Sequence, residues 1–176
     1  MVFDRSGCLM RFWFNLRAIG CLIGLLWITP AGAVGGTVKA TFGDWTVRCE
    51  QQPGASAEQC ALVQNVNAED RPGLSLAVLV VNGAGGSDRI LRVILPLGVL
   101  IPSGLGLRID GTDIGKTGFI RCLPSGCIAE VTMGDALINQ FKAGRTALFI
   151  VFQGPDDGIG IPITLANFAE GLAALP

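Results

Sequence analysis

Asp44-Trp45-Thr46-Val47-Arg48-Cys49-Glu50 alternates with period two, placing Trp45, Val47 and Cys49 on one face and the polar residues on the other. Such a segment is a half-buried antiparallel strand, apolar toward a core and polar toward water. The regular spacing makes Trp45 a core anchor rather than a ligand-stacking residue. Similar segments recur on either side. Gln59 to Val66 reads as the next strand, separated from the first by the turn-like stretch from Gln51 to Ser56. Leu74 to Val81 is apolar on both faces, which fits a strand in the middle of the fold, and Asn82-Gly83-Ala84-Gly85-Gly86 turns the chain so that Arg89 to Leu95 pairs back.

A run with two prolines follows, Leu95-Pro96-Leu97-Gly98-Val99-Leu100-Ile101-Pro102-Ser103-Gly104-Leu105-Gly106-Leu107-Arg108-Ile109-Asp110-Gly111. Proline has no N–H to give to a central ladder, so residues 96–104 lie at an edge or cross between sheets. Alternation resumes at Leu105, Leu107 and Ile109. Further strands are expected at Gly118–Cys122, Cys127–Met133, Thr146–Gln153 and Ile159–Leu165, with Pro155-Asp156-Asp157-Gly158 as a turn. Gly134–Ala143 and Asn167–Leu175 read as short helices, the second carrying Phe168, Leu172 and Leu175 on one face. Many short strands, Gly- and Pro-rich turns and no alternating βαβ pattern predict an all-β fold, an antiparallel β-sandwich or barrel with one or two short helices.

The amino-terminal stretch is of another kind. Arg5, Arg11 and Arg17 make it basic, Ala18 to Ile28 is apolar, and Ala31-Gly32-Ala33 has the small residues of a cleavage site. An apolar run of 11 residues is too short for the roughly 20 that span a bilayer. Residues 1–33 are therefore expected to be a signal peptide, and residues 34–176 one exported domain, with no Cys after the cleavage pattern to carry a lipid. Its 143 residues hold ten Lys or Arg against 13 Asp or Glu, a net charge of −3. A mildly acidic domain with scattered cations offers no counterion-releasing stripe, which argues against nucleic acid as a partner.

The chain has no His and no Tyr. A Ser-His-Asp or Cys-His nucleophile, a His-bearing zinc site and a His proton shuttle are therefore unavailable. No SxxK or glycosidase-like pattern takes their place. No catalytic residue, cofactor site or metal site is expected.

After export Cys49, Cys60, Cys122 and Cys127 remain, an even set in an oxidising compartment. Four cysteines allow three connectivities. Spacing favours the local pairs, Cys49 with Cys60 and Cys122 with Cys127, because Pro124 and Gly126 supply turn chemistry between the last two. A redox role for Cys122 and Cys127 is disfavoured by a four-residue spacer and the lack of an adjoining helix start. Gly83 to Gly86 lacks the spacing and the Lys of a phosphate loop. Asp110-Gly111-Thr112-Asp113 lacks the calcium-loop pattern and reads as a turn, as do Asp156 and Asp157. Recognition is expected on loops, the Gly-rich tip and residues 96–104 foremost.

Taken in order, Phe42-Gly43-Asp44-Trp45, Cys49 and Cys60, the double-proline run ending Ile109-Asp110-Gly111, Phe119-Ile120-Arg121-Cys122-Leu123-Pro124-Ser125-Gly126-Cys127, and Leu165 to Leu175 resemble the invasion-associated locus B family of exported Gram-negative bacterial proteins. The resemblance runs from about Phe42 to Leu175. It implies a periplasmic or outer-membrane-associated protein, linked in pathogenic members to host-cell entry, with the four cysteines as bridges and no catalytic residues to carry over. The expectation is a non-enzymatic envelope protein, periplasmic, outer-membrane-associated or secreted. Its partner would be an envelope or cell-surface protein, with a peripheral association with the outer membrane. The alternatives are a periplasmic thiol–disulfide exchange factor and a β-barrel binding a small apolar ligand.

Overall fold

Trp45 opens the second of eleven strands in the computed structural model, which describes residues 36–55, 57–68, 73–83, 86 and 88–176. The expected signal peptide, residues 1–33, lies outside the described residues. In chain order come β1 (Thr37–Phe42), β2 (Trp45–Glu50), β3 (Gln59–Asn67), β4 (Ser75–Asn82), β5 (Arg89–Leu95), β6 (Leu105–Ile109), β7 (Thr112–Thr117), β8 (Phe119–Leu123), β9 (Gly126–Met133), α1 (Asp135–Ala143), β10 (Thr146–Gly154), β11 (Asp157–Thr164) and α2 (Phe168–Ala173). A seven-stranded sheet has the order β1-β2-β3-β4-β5-β9-β8, and a four-stranded sheet the order β11-β10-β6-β7. Every pairing is antiparallel. The sheets pack face to face and do not close into a barrel, because each keeps two edge strands.

Alternation decides which residues enter the core. Trp45, Val47 and Cys49 of β2, Leu76, Val78 and Val80 of β4, and Leu91, Val93 and Leu95 of β5 are buried against Ala147, Phe149, Val151, Ile161 and Ile163 of the smaller sheet. The indole Nε1 of Trp45 donates to the Thr164 carbonyl at the end of β11 (3.1 Å), and the amide of the buried Gln64 donates to the same oxygen (3.2 Å). Phe168 of α2 meets the Trp45 ring edge-on at 5.2 Å between centroids, and Phe141 of α1 lies 5.2 Å from Phe168. The two helices thus cap the core beside β2.

The double-proline run is the crossing between sheets. It leaves β5, makes a short 3-10 turn at Ile101–Ser103, ties Leu100 N–H to the Phe152 carbonyl (2.6 Å) and enters β6. The Ile109-Asp110-Gly111 motif that follows is a two-residue hairpin loop, with Ile109 opposite Thr112 and positive φ at both Asp110 (47°) and Gly111 (82°). Those dihedrals are the ones a type I′ turn requires, and Asp-Gly suits them. The Asp110 carboxylate accepts N–H bonds from Arg145 (3.0 Å) and Thr146 (3.0 Å), pinning the loop to the start of β10.

Two strands escape the sequence pattern. β1 is an edge strand whose alternation is broken by a bulge between Val38 and Ala40, and β7 has only Ile114 as a large apolar residue. Both bury too little to leave a clear apolar period. α2 stops at Ala173, short of Leu175, although Phe168, Leu172 and Leu175 are all buried.

Replacing Trp45 by Ala is expected to cost about 3–5 kcal/mol in urea unfolding. Trp45→Phe keeps a ring beside Phe168 but removes the donor to Thr164, and should cost about 1–2 kcal/mol. The bonds to Asp110 hold its carboxyl below the ordinary carboxylate range, first through Arg145 N–H and then Thr146 N–H. A depressed folded-state pKa contributes stability above the unfolded value near about pH 4 that is lost as pH falls through the folded value. Asp110→Asn should therefore lower stability at pH 7 and flatten the acid limb of a stability–pH curve.

Candidate binding surface

The outer face of the seven-stranded sheet departs from the expectation for a water-facing surface. Register sets its side chains in rows: Arg48, Ala61, Val81 and Ile90 form one, Thr46, Val63, Leu79, Arg92 and Glu130 the next, and Asn65, Ala77, Ile94 and Ile128 a third. An antiparallel sheet with one wet face alternates polar residues outward, yet most of these are apolar. The sheet forms a concave groove of about 490 Å³ across β2 to β5. Val63 is buried in it, and Ile128 is buried next to Ile94 on β9, although no second layer covers them among the described residues, while Leu79, Val81 and Ile94 are half-exposed. Contiguous apolar surface of this kind marks a contact site more often than scattered single residues do.

Two arginines interrupt the apolar floor in different ways. Arg92 Nε is bonded to the Glu130 carboxylate directly opposite on β9, so its charge is answered within the face. Arg48, on β2 toward the β1 edge, has a buried Nε with no hydrogen-bond partner among the described residues. A desolvated donor left unpaired costs about 1–3 kcal/mol, which makes Arg48 a local violation of ordinary packing.

The residues singled out by sequence fall into two groups. Trp45, Asp110 and the cysteines are structural. Cys49 faces Cys60 across β2 and β3, and Cys122 faces Cys127 across β8 and β9. Both pairs are joined as disulfides, with Cα atoms 4.0 Å and 3.9 Å apart. Cys49, Glu58 and Cys60 bring potential metal donors together, but the disulfide occupies both sulfurs and leaves one carboxylate. Asp113 makes a long, exposed contact with Arg108 (3.8 Å), and Asp157 lies in the β10–β11 hairpin.

The loops carry the second group. Of the Gly-rich tip, residues 84 and 85 lie outside the described set. In the crossing, Leu97 is 57 % exposed and Ile101 is exposed beside it, and on β8 Ile120 is 55 % exposed. Crossing and β8 hairpin share one end of the sandwich, since Leu95 pairs with Cys127 and Gly126 presses on the Leu95 carbonyl, where a side chain has no room. Sequence reasoning missed the outer face. Its signal was present in Leu74 to Val81, apolar on both sides, but that pattern reads as burial on both sides.

The fold and its covalent ties define a class, an all-β, antiparallel two-sheet protein with two disulfides. Residues 45–176 match the family described as Invasion associated locus B (IalB) protein, and the chain belongs to that family. Two Brucella abortus strains each have a protein named an invasion protein B homolog that is 29% identical over 161 residues, covering 90% of this chain and 90% of each relative. The crystal structure of invasion associated protein B from Bartonella henselae has the same fold, with a TM-score of 0.64 and 22% identity, over 77% of this chain and 92% of that one.

Loop entropy predicts that removing Cys49–Cys60 by double Ala substitution costs about 3 kcal/mol and removing Cys122–Cys127 about 2 kcal/mol. Under graded dithiothreitol, mass spectrometry after alkylation should find Cys122–Cys127 reduced first. Cys122 is exposed, whereas Cys49 is buried and Cys60 half-buried.

Proposed function

We propose that this chain is an exported, non-enzymatic envelope protein that binds a protein of the envelope or of an external cell surface through the outer face of its seven-stranded sheet. The observation that carries the reading is the apolar floor of Val63, Leu79, Val81 and Ile94 beside Arg48, whose Nε is buried without a partner. A partner presenting apolar side chains with a carboxylate at one margin would cover the floor and accept a hydrogen bond from that Nε. The missing His and Tyr and the expected leader support a binding role outside the cytoplasm. The names of the Brucella and Bartonella relatives, which refer to invasion, are compatible with it.

The test is retention from envelope extracts on the immobilised chain, compared with Arg48→Met. Methionine keeps the packing of the stem and removes the unpaired donor, so thermal unfolding should be unchanged or up to about 1 kcal/mol more favourable to the fold. The specific component should be held about tenfold more weakly or worse, with a smaller salt dependence. Equal retention by both forms, or no component retained, would refute the reading. Cell fractionation with N-terminal sequencing checks the compartment, the expected result being a chain beginning near Val34 outside the inner membrane.

A further inference from the structure

The edge of the larger sheet beside β9 is incomplete, and the gap coincides with an opening in the core. β8 pairs with β9 only from Gly126 to Ala129. Before Phe119 the chain steps through Gly118 to β7 in the other sheet, so no strand among the described residues flanks the Glu130–Met133 half of β9 on that side. The short Cα separation of 3.9 Å at Cys122–Cys127 marks a non-hydrogen-bonded pair. By alternation, Ile128, Glu130 and Thr132 then turn their N–H and C=O groups toward the β8 side. The Thr117 hydroxyl donates to the Glu130 carbonyl (3.3 Å) in agreement with that parity, and Thr132, further along, is exposed.

Val131 is the second sign. Its register opposite Leu91 points it between the sheets, and Leu91 is buried, yet Val131 is 37 % exposed. Around it lies a cavity of about 120 Å³ walled by Val93 and Ala129 of the larger sheet, Leu107 and Phe149 of the smaller, Ile114 of β7 and Leu137 of α1. The charged ends at its rim face away: Lys116 lies over the Phe152 ring at 5.1 Å on the outer side, and Glu130 is bonded to Arg92. The interior is an apolar socket. Its volume is near that of an engineered cavity of about 150 Å³ that takes benzene, and well below the roughly 300–1,000 Å³ of ligand pockets. One apolar side chain fits, and a whole lipid or cofactor does not.

We infer that β9 between Glu130 and Met133 is a strand-addition site, at which an extended segment of another polypeptide continues the line of β8 and inserts one Leu-, Ile-, Met- or Phe-sized side chain into the socket beside Val131. The two features explain each other. An added strand satisfies the Thr132 N–H and carbonyl through ladder bonds, and its side chains alternate in and out, so every second one points between the sheets. A free apolar molecule would fill the socket and leave the ladder open. This edge lies outside the lining of the β2 to β5 groove, and each can fail without the other.

The experiment is NMR of the full chain with two probes, toluene and a blocked hexapeptide of alternating Thr and Leu. The peptide should shift the methyls of Val131, Leu107 and Ile114 and slow amide exchange at Thr132 by about tenfold or more. Ala129→Leu, which fills the socket, should abolish both responses. Thr132→Pro, which deletes the outward N–H and leaves the β5 ladder intact, should abolish the Val131 shift, whereas Thr132→Val should preserve it. Methyl shifts with toluene but no amide protection by the peptide would overturn strand addition in favour of a small apolar ligand. Thr132 protection that rises with chain concentration in the absence of peptide would overturn it in favour of a second copy, and no response to either probe would overturn it outright.

Discussion

The carbonyl of Thr164 is the point on which the two sheets are hung. It receives the Trp45 indole from β2 and the Gln64 amide from β3, joining the end of the smaller sheet to the beginning of the larger one across a buried interior. Donors from two strands on one oxygen fix distance and rotation together, which apolar packing alone does not do. Phe168 and Phe141 extend the tie through both helices. One margin of the sandwich is therefore closed by aromatic rings and polar bonds. The opposite margin, between β7 and β9, has the Thr117–Glu130 bond and aliphatic contacts, and there the core opens.

The residues that most strongly mark the family turn out to be devices of construction. Phe42 to Trp45 is a hairpin delivering the core tryptophan, and the double-proline run is the crossing between layers. Ile109-Asp110-Gly111 is a hairpin loop whose carboxylate is consumed by the Arg145 and Thr146 N–H groups, and the Cys122–Cys127 hairpin is a covalent staple. Arg48 and the half-exposed residues around Leu79, on which the proposed binding face rests, lie outside those motifs.

Rigidity and exposed apolar surface are linked here by physical necessity. A sheet that leaves Leu79, Val81 and Ile94 half in water, and holds an unpaired Arg48 Nε, gives up part of the stability it could have. Two disulfides constrain the unfolded chain and offset that loss. The same staples keep β2–β3 and β8–β9 in fixed register, so both the outer face and the gap beside β9 have a defined geometry.

Periodicity alone determined the all-β class, most of the strands and both helices, because alternate burial along a strand leaves a period-two record of each residue's side of the sheet. The crossing role of the prolines was legible for an equally local reason, the missing N–H. β1 and β7 were not legible, since edge strands bury few side chains and so carry little period. The double-sided apolar pattern of Leu74 to Val81 correctly marked a central strand but not the groove, because an apolar outer face and a buried one have the same composition; only the tertiary arrangement decides whether a second layer covers Leu79. The β9 gap was invisible for a related reason. It depends on where β8 stops relative to a strand later in the chain, a fact of pairing between distant segments that no single segment records.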